Sequence, residues 1–171
     1  MAKLHTISVL VENQFGVLAR ISGLFSARGY NIESLCVGIT ENPAVSRMTV
    51  VVEGDDGVLE QIINQLNKLV EVIEVLDLTK ESYVERELVL IKTGADASRR
   101  TELLEITNVF RAKIVDMSAN AVTIEATGSE GKVRAFIDMI RPFNIQELAR
   151  TGRIALGRSR NGATETEETT E

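Results

Sequence analysis

Apolar residues recur along this chain in two rhythms, and their order sets the expected elements. Ile7, Val9 and Val11 alternate with Ser8 and Leu10, the period of a strand with one well-buried face. Val17, Ile21, Leu24 and Phe25 follow at helical spacing up to Gly29, which predicts a helix that the glycine stops. A strand over Asn31–Thr40, the reversal Glu41-Asn42-Pro43-Ala44 and a returning strand over Arg47–Glu53 come next. In the returning strand Met48, Val50 and Val52 share a face. Gly54-Asp55-Asp56-Gly57 reads as a turn and cap, and Leu59, Ile62, Ile63, Leu66 and Leu69 mark a second helix. Val72–Leu78 closes the unit as a fourth strand. The order βαββαβ matches a split βαβ, ferredoxin-like arrangement.

The second half predicts the same order with unrelated residues. Glu87–Thr93 reads as a strand, and Leu103, Ile106, Val109 and Phe110 as a helix. Lys113–Met117 and Val122–Thr127 form a hairpin around Ser118-Ala119-Asn120. Val133, Phe136, Ile137 and Ile140 give a helix that Pro142 closes, with Ile145–Ala149 as the last strand. The expected fold is therefore α+β, two ferredoxin-like units in tandem joined by Thr79-Lys80-Glu81-Ser82. If all helices lie on one face of each sheet, the opposite faces are uncovered. Leu35, Val37 and Ile39 then point one way, and Ser34, Cys36 and Gly38 the other. Exposed edges on such sheets favour pairing with a second copy.

Composition changes this picture in few places. Of 171 residues 44% are hydrophobic but only 4% aromatic, with no Trp, so the cores must be aliphatic. Net charge is −6, and the last eleven residues, Asn161–Glu171, carry four Glu and no base. That acidic tail is expected to be disordered. The remainder lacks the basic surface that nucleic-acid binding needs. One cysteine, Cys36, excludes an internal disulfide and fits a reducing compartment. Without a signal peptide or a membrane-length apolar run, a cytoplasmic location is expected.

The richest local chemistry lies at Asn13-Gln14-Phe15-Gly16-Val17-Leu18. A strand runs there into a short polar turn that opens a helix, so free N–H groups and a positive dipole end meet at one point. Asn13 offers a side-chain amide, and Gly16 lets backbone approach a ligand without a Cβ in the way. The same residues serve equally as an N-cap and a loop glycine with no ligand. Asn31 is either a polar anchor or ordinary turn chemistry. His5 stands alone, and Cys36 has no activating neighbour. Glu85-Arg86-Glu87 and Arg99-Arg100 read as solvated surface charge. Arg150, Arg153, Arg158 and Arg160 make the C-terminal end basic, either as flexible surface charge or as a dock for an acidic surface. No phosphate loop, dinucleotide fingerprint, metal spacing or nucleophile set is visible.

Taken together these residues resemble a known family. The βαββαβ unit with a glycine in its first turn looks like an ACT domain, an amino-acid-sensing module. Val11-Glu12-Asn13, Gly16-Val17-Leu18-Ala19-Arg20, Arg28-Gly29-Tyr30-Asn31-Ile32-Glu33-Ser34-Leu35 and Ser46-Arg47-Met48-Thr49-Val50 resemble the small regulatory subunits of acetolactate synthase, also called acetohydroxyacid synthase. The likeness continues through Val84-Glu85-Arg86-Glu87-Leu88 and Gly131-Lys132-Val133-Arg134-Ala135-Phe136 to Ala149-Arg150-Thr151-Gly152.

The resemblance implies an ACT domain over 1–79, a C-terminal small-subunit domain over 83–160 and a tail over 161–171. It implies a non-catalytic homodimer that activates a catalytic large subunit and confers feedback inhibition by valine in branched-chain amino-acid biosynthesis. Thiamine diphosphate, Mg and FAD would sit on that partner, with no cofactor on this chain. Asn13, Gly16, Val17 and Leu18 of one protomer would hold valine, and Asn31 and Ile32 of the other would close it. Many ACT domains carry Asp and Pro near this glycine, where Asn13 and Phe15 stand here. A free-standing ACT sensor with another partner is the alternative.

Overall fold

The computed structural model describes residues 3–94 and 98–159, so the expected disordered tail over 161–171 lies outside the described residues. The first half follows the expected order: β1 (Lys3–Glu12), α1 (Val17–Ala27), β2 (Ile32–Ile39), β3 (Val45–Gly54), α2 (Asp56–Leu66) and β4 (Val72–Asp77). Its sheet is antiparallel in the order β2-β3-β1-β4. Ile7, Val9, Val11, Met48, Val50 and Val52 meet Val17, Ile21 and Phe25 of α1 and Leu59, Ile62 and Leu66 of α2 in one buried core. Burying such side chains is worth roughly 1.5–3 kcal/mol each before entropy is counted.

Local chemistry sets the helix ends. Asp55 caps α2 by accepting from the Val58 N–H at 2.8 Å. That helix stops at Leu66, so Leu69 reaches the core from the following turn. Helix α1 ends in a full Schellman motif: the Gly29 N–H donates to Ser26 O and the Tyr30 N–H to Phe25 O. Gly29 takes φ +70, and Tyr30 packs edge-on against Phe25 with ring centroids 6.4 Å apart. This closure fixes where Asn31 leaves the helix.

The second half contains β5 (Tyr83–Gly94), α3 (Arg100–Val109), β6 (Lys113–Met117), β7 (Ala121–Gly128), α4 (Glu130–Ile140) and β8 (Ile145–Arg150). Its strand order β6-β7-β5-β8 repeats that of the first sheet. A second core joins Val89, Ile91, Val122 and Ile124 to Leu103, Val133, Phe136 and Ile140. The fold is thus α+β with two tandem ferredoxin-like sheets.

An extra strand, β9 (Ile154–Gly157), was not expected from the sequence. It pairs with Tyr83–Arg86, the early part of β5, while β8 pairs with Val89–Thr93. Strands β8 and β9 are therefore two parts of one antiparallel run beside β5, interrupted by Thr151-Gly152-Arg153. Thr151 holds the interruption to β5 by exchanging bonds with Leu88, its N–H donating at 3.0 Å and its Oγ1 accepting at 3.1 Å. The β5–β9 ribbon lies on the helix-free face of the first sheet, where Ala155 N–H donates to Thr49 Oγ1 at 3.4 Å. Thr6, Ser8, Thr49 and Val51 on that face are buried. The face expected to be uncovered is in part covered within the chain.

Charges near the ribbon correct the reading of solvated surface. Glu87 is 4% exposed, and Arg150 grips it with two bonds of 2.5 and 2.8 Å. Glu85 and Arg153 pair at 3.1 Å, with Arg153 11% exposed. Arg99, away from the ribbon, keeps a 43% exposed side chain as expected of surface charge and stacks on the Phe143 ring, 4.2 Å from its guanidinium.

Candidate functional site: an open helix start

Strand β1 leaves the first sheet at Glu12, and Asn13 is fastened twice to the β2–β3 hairpin. Its N–H donates to Ala44 O at 2.7 Å, and its Nδ2 donates to Pro43 O at 2.9 Å. These bonds orient the amide and leave Oδ1 as an acceptor with no donor among the described residues. Asn13 is not the N-cap of α1. That position belongs to Gly16, at φ +86 and ψ −12, with no side-chain cap and no acidic residue in the first turn.

The start of α1 is consequently open. The Val17 N–H makes one long turn bond, 3.5 Å to Gln14 O, and among the described residues Leu18 and Ala19 N–H have no backbone acceptor. A Cβ built at Gly16 meets nothing within 4 Å. Uncompensated N–H groups and the dipole end favour a small anion at this point. Val17 contributes only its backbone, because its side chain is in the core, whereas Leu18 is 44% exposed beside the turn.

Asn31 and Ile32 lie elsewhere. Asn31 Nδ2 donates to Glu33 Oε1 at 2.7 Å, and Ile32 packs at the edge of the first core. Glu12 pairs with Val45, and Ile32 pairs with Val52, so the two groups stand at opposite ends of β3. At ~3.3 Å per residue that is a separation of about 23 Å along the sheet. One chain brings Asn13, Gly16, Val17 and Leu18 together and does not bring Asn31 or Ile32 to them.

A second polar cluster escaped the sequence reading. Glu85, Glu87, Glu130, Arg150 and Arg153 meet beside Ser34 and Thr6, between the two sheets. The bonded Glu87 carboxylate raises Arg150 above the ordinary arginine value, against the opposing effect of burial. Only the strand register brings these residues together, so no local motif announces them. Among the described residues no group of three His, Cys, Asp or Glu is placed to hold a metal ion, and no helix is long and apolar enough to cross a membrane.

Comparison with known proteins identifies the family. Residues 7–74 match the family model for the AHAS small subunit-like ACT domain, and residues 86–159 match that for the small subunit of acetolactate synthase. The chain is 60% identical over 154 residues to the "Probable acetolactate synthase small subunit" of Archaeoglobus fulgidus, covering 90% of this chain and 96% of that one. It is 51% identical over 160 residues to the acetolactate synthase small subunit of Mycobacterium bovis, covering 94% and 95%. The crystal structure of the acetolactate synthase small subunit from Thermotoga maritima superposes with a TM-score of 0.85 at 42% identity, over 92% of this chain and 99% of that one. The chain belongs to the acetolactate synthase small-subunit family, as a regulatory rather than a catalytic subunit.

Proposed function

We propose that this chain binds an acetolactate synthase large catalytic subunit, raises its activity and makes it subject to feedback inhibition by valine. The observation that carries the effector assignment is the open start of α1: three backbone N–H groups, a glycine cap and no competing carboxylate. The α-carboxylate of the effector takes those N–H groups, Asn13 Oδ1 accepts from its ammonium, and Leu18 shelters the isopropyl group. Valine and its neighbours leucine and isoleucine differ there by about one methylene, worth roughly 1–3 kcal/mol.

The site is half a site in one chain. Strand β2 is an edge of the first sheet, and its Ile39 end lies at the Asn13 end, because Ile39 and Val11 both pair with Ser46. Antiparallel pairing of β2 with β2 of a second copy, about a two-fold axis, sets the partner's Asn31 and Ile32 at that same end. This pairing supports a homodimer whose effector sits between copies. Thiamine diphosphate, Mg and FAD are assigned to the large subunit, and the complex to the cytoplasm.

Reconstitution with the cognate large subunit tests the reading. Acetolactate formation should rise on adding this chain and fall again on adding valine. An unchanged rate in both steps refutes it.

A further inference from the structure

Arg153 occupies the centre of the layer between the two sheets. Its backbone N–H donates to Ser34 Oγ at 3.0 Å, and its Nη1 donates to Thr6 Oγ1 at 2.9 Å, both on the first sheet. Its Nη2 pairs with Glu130 at the start of α4, and its Nε lies 3.1 Å from the Glu85 carboxylate, both in the second half. Gly152, at φ +79, packs so closely that a Cβ would come within 2.5 Å of Ser34 Oγ. The contact has little slack on the first-sheet side. Charges this buried cannot lose one partner cheaply, so Arg153 and its carboxylates move as a unit.

Ser34 has a second connection. The β2–β3 register shifts between Ile32 and Ser34, so Glu33 is the extra residue of a bulge, and the Asn31 amide holds its carboxylate at 2.7 Å. A bulge is where a ladder is interrupted and where a strand can re-aim. Asn31 to Ser34 thus carries the effector contacts at one end and the Arg153 contact at the other. A polar cavity of about 430 Å³ beside it, lined by Glu33, Ser34, Arg134, Arg150 and Arg153, leaves room for adjustment.

We propose that the β2 bulge and the Ser34–Arg153 contact transmit effector occupancy from the first sheet to the second. Closure of Asn31 and Ile32 on an effector shifts the bulge, and Ser34 carries Gly152-Arg153 with it. Arg153 then displaces the β8–β9 junction and the start of α4 through Glu85 and Glu130. Coupling of this kind needs two arrangements of one packed element that both ends bias. The inference rests on the assignment of Asn31 and Ile32 as effector contacts.

Hydrogen exchange of residues 149–157 in the complex with the large subunit, with and without valine, tests it alongside calorimetry of valine binding. Valine should change exchange of that segment at least about fivefold, the lower end of ordinary allosteric coupling. In Ser34→Ala the change should fall below about twofold, while the free small subunit keeps its valine affinity within about twofold, because Ser34 does not touch the effector. Thr6→Val removes the other first-sheet acceptor of Arg153 at nearly constant shape, and serves should Ser34→Ala fail to fold. Valine binding with identical exchange at 149–157 in the unaltered complex overturns the coupling and leaves the effector site standing. Absence of valine binding by calorimetry overturns the effector site, and the coupling with it.

Discussion

At the residue scale, Gly16 is decisive. It supplies the left-handed turn at φ +86 without a Cβ, and the space beside it is open. An aspartate fits that space and tolerates the left-handed region better than most residues, at a cost of about 1 kcal/mol. Its carboxylate would then sit where the effector's carboxylate belongs. Gly16→Asp should leave a folded protein with no measurable valine binding by calorimetry, and unchanged affinity would remove the anion site from consideration. The Glu87–Arg150 pair is structural by contrast. Arg150→Met leaves the Glu87 carboxylate buried and unpaired, and should cost about 2 kcal/mol in urea unfolding. Pairing raises the folded-state pKa of Arg150. The contribution is therefore fully present below the ordinary arginine value and lost only as pH rises through the higher folded value. Its share of stability should not vary across neutral pH.

At the element scale, β2 serves the proposed dimer through its outer edge and the sheet-to-sheet contact through its bulge. Val37 is 39% exposed near the middle of that edge. A lysine there uses the device by which natural edge strands resist pairing. Val37→Lys should weaken self-association at least about tenfold in sedimentation equilibrium. It should weaken valine binding in parallel, since Asn31 then no longer arrives from a second copy. A dimer lost with valine affinity intact would place the whole site within one chain. The helix ends were legible because each is a local device. Asp55 caps α2 and Gly29 ends α1 through bonds spanning a few residues. Asn13 was less legible: its partner, Pro43 O, is thirty positions away in sequence, so N-cap and hairpin tether look alike before folding.

For the whole molecule, the contact between halves combines the Arg153 network with small polar side chains of the first sheet. Thr6, Ser8 and Thr49 accept or exclude at the face where β9 lies, and Ala155 is 3% exposed against them. Ala155→Glu forces a larger, charged side chain into this close-packed layer and should lower stability by about 3 kcal/mol. Loss of protection in hydrogen exchange should centre on residues 154–157 and 49–51. Uniform loss across both sheets would mean that the two halves unfold as one unit.

Eight strands of the two repeated units, their four helices and the residues of the glycine turn were legible in the order of amino acids. Those features follow from period and from caps, which are written within a few neighbouring positions. The rest depended on contacts between residues far apart in the chain. Ile154-Ala155-Leu156-Gly157 is too short to show a period, and it becomes a strand because the start of β5 offers it a partner. Glu85, Glu87 and Arg153 look like surface charge in sequence, since charge alone carries no sign of burial. The register of β5 with β8 and β9, and the placing of that ribbon on the first sheet, give each its partner. Likewise the spacing of Asn13 and Asn31 is blind to the sheet that separates them by about 23 Å, the rise of seven strand residues from Val45 to Val52. That separation makes the proposed site a property of two chains.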